Sequence, residues 1–199
     1  KYFVFSSSAA VYGEPQYLPL DESHPTSPIN FYGHTKLAIE NLLRWYSQLK
    51  GLRFSSLRYF NAAGYDVDGE LNGLEHEPNN LLPIVLETIV GRRKKVEVFG
   101  TDYDTRDGSC IRDYIHVSDL ADAHLKALDY LKHENQDLVI NLGTSNGLSV
   151  LEIMQIAREV SGQEFNYTLG PRRAGDPAVV LAKAELAEEL LDWKPKHSD

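Results

Sequence analysis

Tyr32 and Lys36 are the pair in this sequence best placed to do chemistry. Four residues apart in Tyr32-Gly33-His34-Thr35-Lys36, they fall on one face of a helix, about one turn apart. An ammonium beside a phenol favours the phenolate, and a phenol so tuned acts as a general acid or base near neutral pH. The same spacing also suits a surface pair whose lysine stem lies along the helix. Ser6-Ser7-Ser8 is the second feature. It follows the apolar run Tyr2-Phe3-Val4-Phe5 and so stands at the C-terminal end of a strand, where open α/β sheets bind ligands. A serine there can share a substrate proton with the tyrosine; a strand-ending turn is the plainer alternative. The order of apolar strand, serines, proline-rich loop and helix-opening Tyr-x-x-x-Lys joins the two features.

Positioning these groups takes a strand at Tyr2–Ser6, a loop with Pro15, Pro19, Pro25 and Pro28, and a helix from about Pro28 to Lys50, stopped by Gly51. Leu37, Ile39, Leu42, Leu43, Tyr46 and Leu49 form a broad apolar stripe on that helix. A strand at about Arg53–Phe60 follows, and strand–helix–strand is the unit of a parallel α/β sheet. The composition turns polar near Asn61, with a loop from Gly64 to Gly73. Beyond it the pattern predicts helices at Asn80–Val90, Val117–Leu131, Ser149–Ser161 and Lys183–Leu191. Strands are expected at Val96–Phe99, Ile111–His116, Leu138–Leu142 and Phe165–Thr168.

The bulk numbers limit the function classes. The 199 residues are 42% hydrophobic and 25% charged, an ordinary globular composition. Twenty Lys+Arg against 29 Asp+Glu give a formal net charge of −9, which argues against general binding to nucleic acid or an anionic membrane. A local basic pocket for a small anion stays open. The single cysteine, Cys110, excludes an intramolecular disulfide and a Cys-based zinc cluster. It suits a reducing, cytoplasmic setting. No apolar run reaches membrane-spanning length. The chain opens in mid-strand without Met, and from this we expect a fragment.

Read together, these stretches resemble the UDP-galactose 4-epimerases of the extended short-chain dehydrogenase/reductase family. The resemblance runs through Phe5 to Gly13, Tyr32 to Glu40, Leu57 to Asn61, Pro78 to Pro83, Val98 to Tyr103, Arg106 to Gly108, Ile111 to Val117, Asn141 to Gly143 and Pro171 to Asp176. It covers nearly the whole chain in family order. It implies an α/β fold: the remnant of a Rossmann-type parallel sheet over residues 1–61, then a smaller mixed α/β substrate-binding domain over 62–199, some of whose segments return to the sheet.

The resemblance also implies roles. Tyr32 is the acid/base for the sugar 4-hydroxyl, Lys36 holds the nicotinamide ribose of NAD, and Ser8 hydrogen-bonds the 4-oxygen. Ser7, Tyr59 and Phe60 fall beside the cofactor. Asn61, Asn80 and Leu81 face the hexose and diphosphate, and Val98 and Phe99 match the uracil-binding strand end. Arg112 and Arg173 match arginines on the diphosphate, where a planar guanidinium gives paired bonds. Asp176 matches an acceptor for the uridine ribose, and Val180 a position that gates an N-acetyl group. No metal is implied. Plainer readings stand beside these: Asn80 as a helix cap, Phe99 as a core ring, Arg112 and Asp113 as a surface ion pair.

The implied reaction is C4 epimerisation of UDP-galactose and UDP-glucose through transient hydride removal to NAD. Dehydratases of the same branch carry Asp-Glu after the serine, where this chain has Ala9-Ala10; a decarboxylase or a non-catalytic UDP-sugar-binding remnant are the other readings. A Gly-x-x-Gly-x-x-Gly motif is absent from the sequence, so the 199 residues alone are expected to hold NAD weakly and to be inactive. The Tyr32/Lys36 helix, with Leu42, Leu43, Trp45, Tyr46 and Leu49, implies a homodimer.

Overall fold

The computed structural model describes residues 1–71 and 77–197; Asn72 and Gly73 of the expected polar loop lie outside them. The fold is α/β, with a parallel sheet and a smaller mixed α/β part. Strand β1 (Tyr2–Ser6) runs into a short 3₁₀ turn at Ala9–Val11. Helix α1 (Phe31–Lys50) then leads to strand β2 (Arg53–Tyr59). The helix starts at Phe31 because Asn30 caps it, accepting from the Gly33 amide at 2.8 Å. It stops where Gly51 turns left-handed at φ 64°, a conformation glycine adopts without steric cost.

β1 and β2 pair in parallel, Ser6 opposite Leu57, and β2 pairs in parallel with β6 (Leu138–Leu142), Tyr59 opposite Leu142. The C-terminal end of this sheet therefore carries the Ser8 turn, Phe60 and Gly143. Helices α3 (Val117–Glu134) and α5 (Glu185–Leu191) pack against the sheet. Leu57, Ile140, Leu142, Ala123, Ala127 and Trp193 form the core between them. Full burial of each larger side chain contributes roughly 1.5–3 kcal/mol, and Trp193 also donates its indole N–H to the Asp119 carbonyl at 3.0 Å. No helix among the described residues is long and apolar enough to cross a membrane.

A second sheet centres on β5 (Ile111–His116). β3 (Asn61–Ala63) pairs with it in parallel, β7 (Gly147–Ser149) antiparallel, and β9 (Val179–Val180) in parallel. The pattern does not announce these two- and three-residue strands, which exist only through their pairing with β5. A third, two-stranded sheet joins β4 (Val96–Phe99) to β8 (Tyr167–Gly170). Helices α2 (Leu81–Ile89) and α4 (Val150–Ser161) lie nearby, around a core of Val85, Val96, Val98, Met154 and Phe165.

The strand expected at Phe165–Thr168 thus lies two residues later. Tyr167 pairs with Val96, while the Phe165 ring belongs to the core. The last helix starts at Glu185, two residues after Lys183, whose amide donates to the Leu20 carbonyl at 2.7 Å.

Candidate active site

The Ser8 turn and the first turn of α1 touch. A Cβ built on Gly33 would sit 2.3 Å from the Ala10 carbonyl oxygen, so this approach requires the glycine between Tyr32 and His34. Lys36 shares its environment with Tyr32. Its ammonium lies 5.4 Å from the Tyr32 ring centroid and 5.1 Å from that of Phe5, and donates to the Ser6 carbonyl at 2.8 Å. The Tyr32 ring is half-exposed. Ser8 is buried, and its hydroxyl oxygen accepts from the Ala10 amide at 3.2 Å.

Ser8 helps to line a small cavity of about 170 Å³ with Ala10, Phe60, Asn61, Asp176 and Val180. Beside it lies a larger cavity of about 530 Å³, a size typical of small-molecule sites. Asn61, Asn80, Leu81, Phe99, Arg112, Arg173 and Asp176, all expected at a substrate, line this larger space. Asn61, Arg112 and Asp176 line both cavities. The wall carries four cations, Arg93, Lys95, Arg112 and Arg173, against the carboxylates Glu97 and Asp176. In a chain of net charge −9, this is a local anion-accepting surface.

Each lining group is set by its element. Asn80 sits at the cap position of α2, makes no side-chain cap bond and lines the cavity. β5 alternates: Ile111, Asp113 and Ile115 are buried, while Arg112 and Tyr114 are partly exposed and reach the cavity. Arg112 pairs with Asp176 at 2.5 Å. Asp113 is not a surface partner of Arg112. It is buried and accepts from the amides of Thr144, Ser145 and Ala182 and the hydroxyl of Thr144. Burial pushes its carboxyl up, against the pull of those four donors. The Arg173 guanidinium stacks 4.5 Å from the Phe99 ring centroid, and burial raises the Tyr114 phenol to about 12.

Some expected residues stand elsewhere. The Val98 side chain is in the core with Val96 and Met154, because strand alternation turns it away from Phe99, and Val98 does not line the cavity. The Tyr59 ring packs against the core under α3 and α5. The Ser7 hydroxyl is buried and donates to Glu40 at 2.6 Å. Residues the sequence reading passed over are Arg93, Lys95 and Tyr114. Tyr114 was signalled by its place two residues after Arg112, on the same face of a strand.

A model of the NAD dependent epimerase/dehydratase family matches residues 1–143. The chain is 50% identical over 198 residues to a UDP-glucose 4-epimerase of Halalkalibacterium halodurans, covering 99% of this chain and 59% of that protein. It superposes on a UDP-glucose 4-epimerase from Brucella ovis in complex with NAD with a TM-score of 0.96, at 45% identity over 100% of this chain and 61% of that one. A Bifidobacterium longum UDP-glucose 4-epimerase in complex with NAD+ and UDP gives 0.91 at 42% identity, over 98% and 59% of the two chains. The chain therefore spans about 60% of the length of such relatives.

Proposed function

This chain belongs to the NAD dependent epimerase/dehydratase family, and we propose that it supplies the catalytic set and the UDP-sugar cavity of a UDP-galactose/UDP-glucose 4-epimerase. One observation carries this reading: a cation-lined cavity of about 530 Å³ shares Asn61, Arg112 and Asp176 with the smaller cavity at Ser8. A diphosphate fits the first, and a hexose on it reaches the second.

In this reading Tyr32 takes the proton from the sugar 4-hydroxyl and gives it back, and Ser8 holds the 4-oxygen. Lys36 fits NAD. Its ammonium is tied at the strand end by one bond to the Ser6 carbonyl, leaving two donors for a ribose. The backbone at Phe60 adjoins the same end. NAD, when bound, supplies reversible hydride transfer at C4. Arg112 and Arg173 hold the diphosphate, Asn61, Asn80 and Leu81 the hexose–diphosphate junction, Phe99 the uracil, and Asp176 the ribose. Val180 is a small side chain in the Ser8 cavity, which leaves room for an N-acetyl group, so UDP-N-acetylhexosamines are substrates too.

The protein works in the cytoplasm as a homodimer through α1. That helix exposes Phe31, Leu42, Trp45, Tyr46 and Leu49, while Leu43 turns inward. Sedimentation that finds a monomer removes the dimer. The 199 residues alone, with no Gly-x-x-Gly-x-x-Gly, do not turn over. The deciding experiment expresses the complete reading frame and follows UDP-galactose to UDP-glucose with NAD. Activity that falls by roughly 10²-fold or more in Tyr32→Phe supports the reading; UDP binding without any interconversion rejects it.

A further inference from the structure

Behind the Ser8 cavity lies a buried polar cluster, linked to the surface by half-exposed Arg44, whose guanidinium lies 3.5 Å from Glu40. Ser7, Tyr12, Glu40, Arg58 and Asn141 are all at most 2% exposed, and none of them lines either cavity. Glu40 accepts from Arg58 Nε at 2.9 Å, from Arg58 Nη2 at 2.6 Å and from the Ser7 hydroxyl at 2.6 Å. Arg58 Nη1 donates to the Tyr12 hydroxyl at 3.1 Å, which donates to Asn141 Oδ1 at 2.6 Å. Asn141 closes the chain on the Leu20 carbonyl at 3.0 Å.

Stability alone is a poor explanation for such a pair. Taking two charges out of water costs several kcal/mol each, and well-packed apolar residues of the same volume commonly serve as well or better. Apolar contacts, however, do not fix direction. Four of its five members adjoin a group of the site. Ser7 precedes Ser8, Glu40 lies one helical turn beyond Lys36, and Arg58 lies two residues before Phe60. Tyr12 ends the turn that Ser8 caps.

We propose that Glu40 and Arg58 are positioning residues. They lock the Ser8 turn, the first half of α1 and the end of β2 into one register, so that the Ser8 hydroxyl meets the substrate oxygen served by Tyr32. This rests on the epimerase reading of the site. Because the pair touches neither cavity, its loss lowers kcat and leaves binding alone, the signature of a geometry needed only in the transition state.

The test uses the protein expressed from its complete reading frame, with NAD. The double variant Glu40→Met/Arg58→Met removes both charges and keeps the volume. The expected result is a folded protein with an unchanged or higher unfolding midpoint, and UDP affinity by calorimetry within two-fold of wild type. Its KM for UDP-galactose is unchanged and its kcat at least ten-fold lower. A folded double variant with kcat within two-fold of wild type overturns the proposal. If the double variant does not fold, Ser7→Ala, which removes one hydroxyl, decides. A several-fold loss of kcat at constant KM upholds the proposal, and an unchanged kcat overturns it. An inactive wild type rejects the epimerase reading and this proposal together, whereas an active wild type with unaffected variants rejects only this one.

Discussion

Arg58 meets Glu40 with their side chains 3% and 0% exposed, whereas across the molecule Arg172 meets Asp102 with 48% and 74% of theirs in solvent. The first pair sits behind Ser8. The second ties the loop after β4 to the loop after β8, beside Arg173. Away from water, charge-assisted bonds are strong and little screened by salt; at the surface they are worth little. The Ser8 turn is thus tied to α1 and β2 by directional bonds away from water. The loops after β4 and β8, next to the cation-lined wall, are held by contacts that can be remade. Arg112 is intermediate, 13% exposed and bonded to an Asp176 that is 30% exposed, so an arriving phosphate can replace one anion by another.

The contrast is most easily broken by deletion. Glu40→Ala strands a buried guanidinium and is expected to cost about 3–5 kcal/mol in urea unfolding, while Arg172→Ala leaves the midpoint where it was. Equal losses would erase the difference between the walls. Arg112→Ala removes a charge-assisted contact worth about 1.5–3 kcal/mol. It should weaken UDP binding roughly ten-fold or more by calorimetry, with a deficit that narrows as salt rises. Gly33→Ala forces a methyl onto the Ala10 carbonyl, 2.3 Å away. A loss of roughly 1–3 kcal/mol is expected, with unchanged UDP affinity, because the strain falls on the Ser8 turn.

Acid should separate the two sides in sign. Glu152 caps α4, and its bond to Arg106 holds its carboxyl down at about 2. Its contribution is present above the ordinary carboxylate range and disappears only as pH falls toward 2. Glu22, bonded to the Asn141 amide at 2.8 Å, is pushed up by burial. Its contribution is present below the ordinary range and disappears as pH rises through its elevated value. Unfolding of Glu152→Gln and Glu22→Gln across pH should therefore show opposite trends against wild type. Parallel trends would mean that burial at Glu22 does not govern its proton.

What the sequence made legible follows physical range. Tyr32, Lys36 and β1 were readable because a helical turn and an apolar strand are local patterns. β9 was not, since Val179 and Val180 are extended only against Ile111 and Arg112, far away in the chain. Glu40 and Arg58 look like surface charges by type. Only the position of Glu40 on the same helix face as Lys36, and of Arg58 inside a strand, hinted that they are inward. Val98 shows the opposite limit: a motif names neighbouring residues together, but a strand sends their side chains to opposite sides.

The common wall of Asn61, Arg112 and Asp176 makes the two chambers one instrument with a shared partition. Val180 belongs to the smaller chamber alone. Widening or narrowing it retunes one end of an occupant while the anchorage of the other end is undisturbed. A change at this one position therefore alters the smaller chamber and leaves the lining of the larger one as it is.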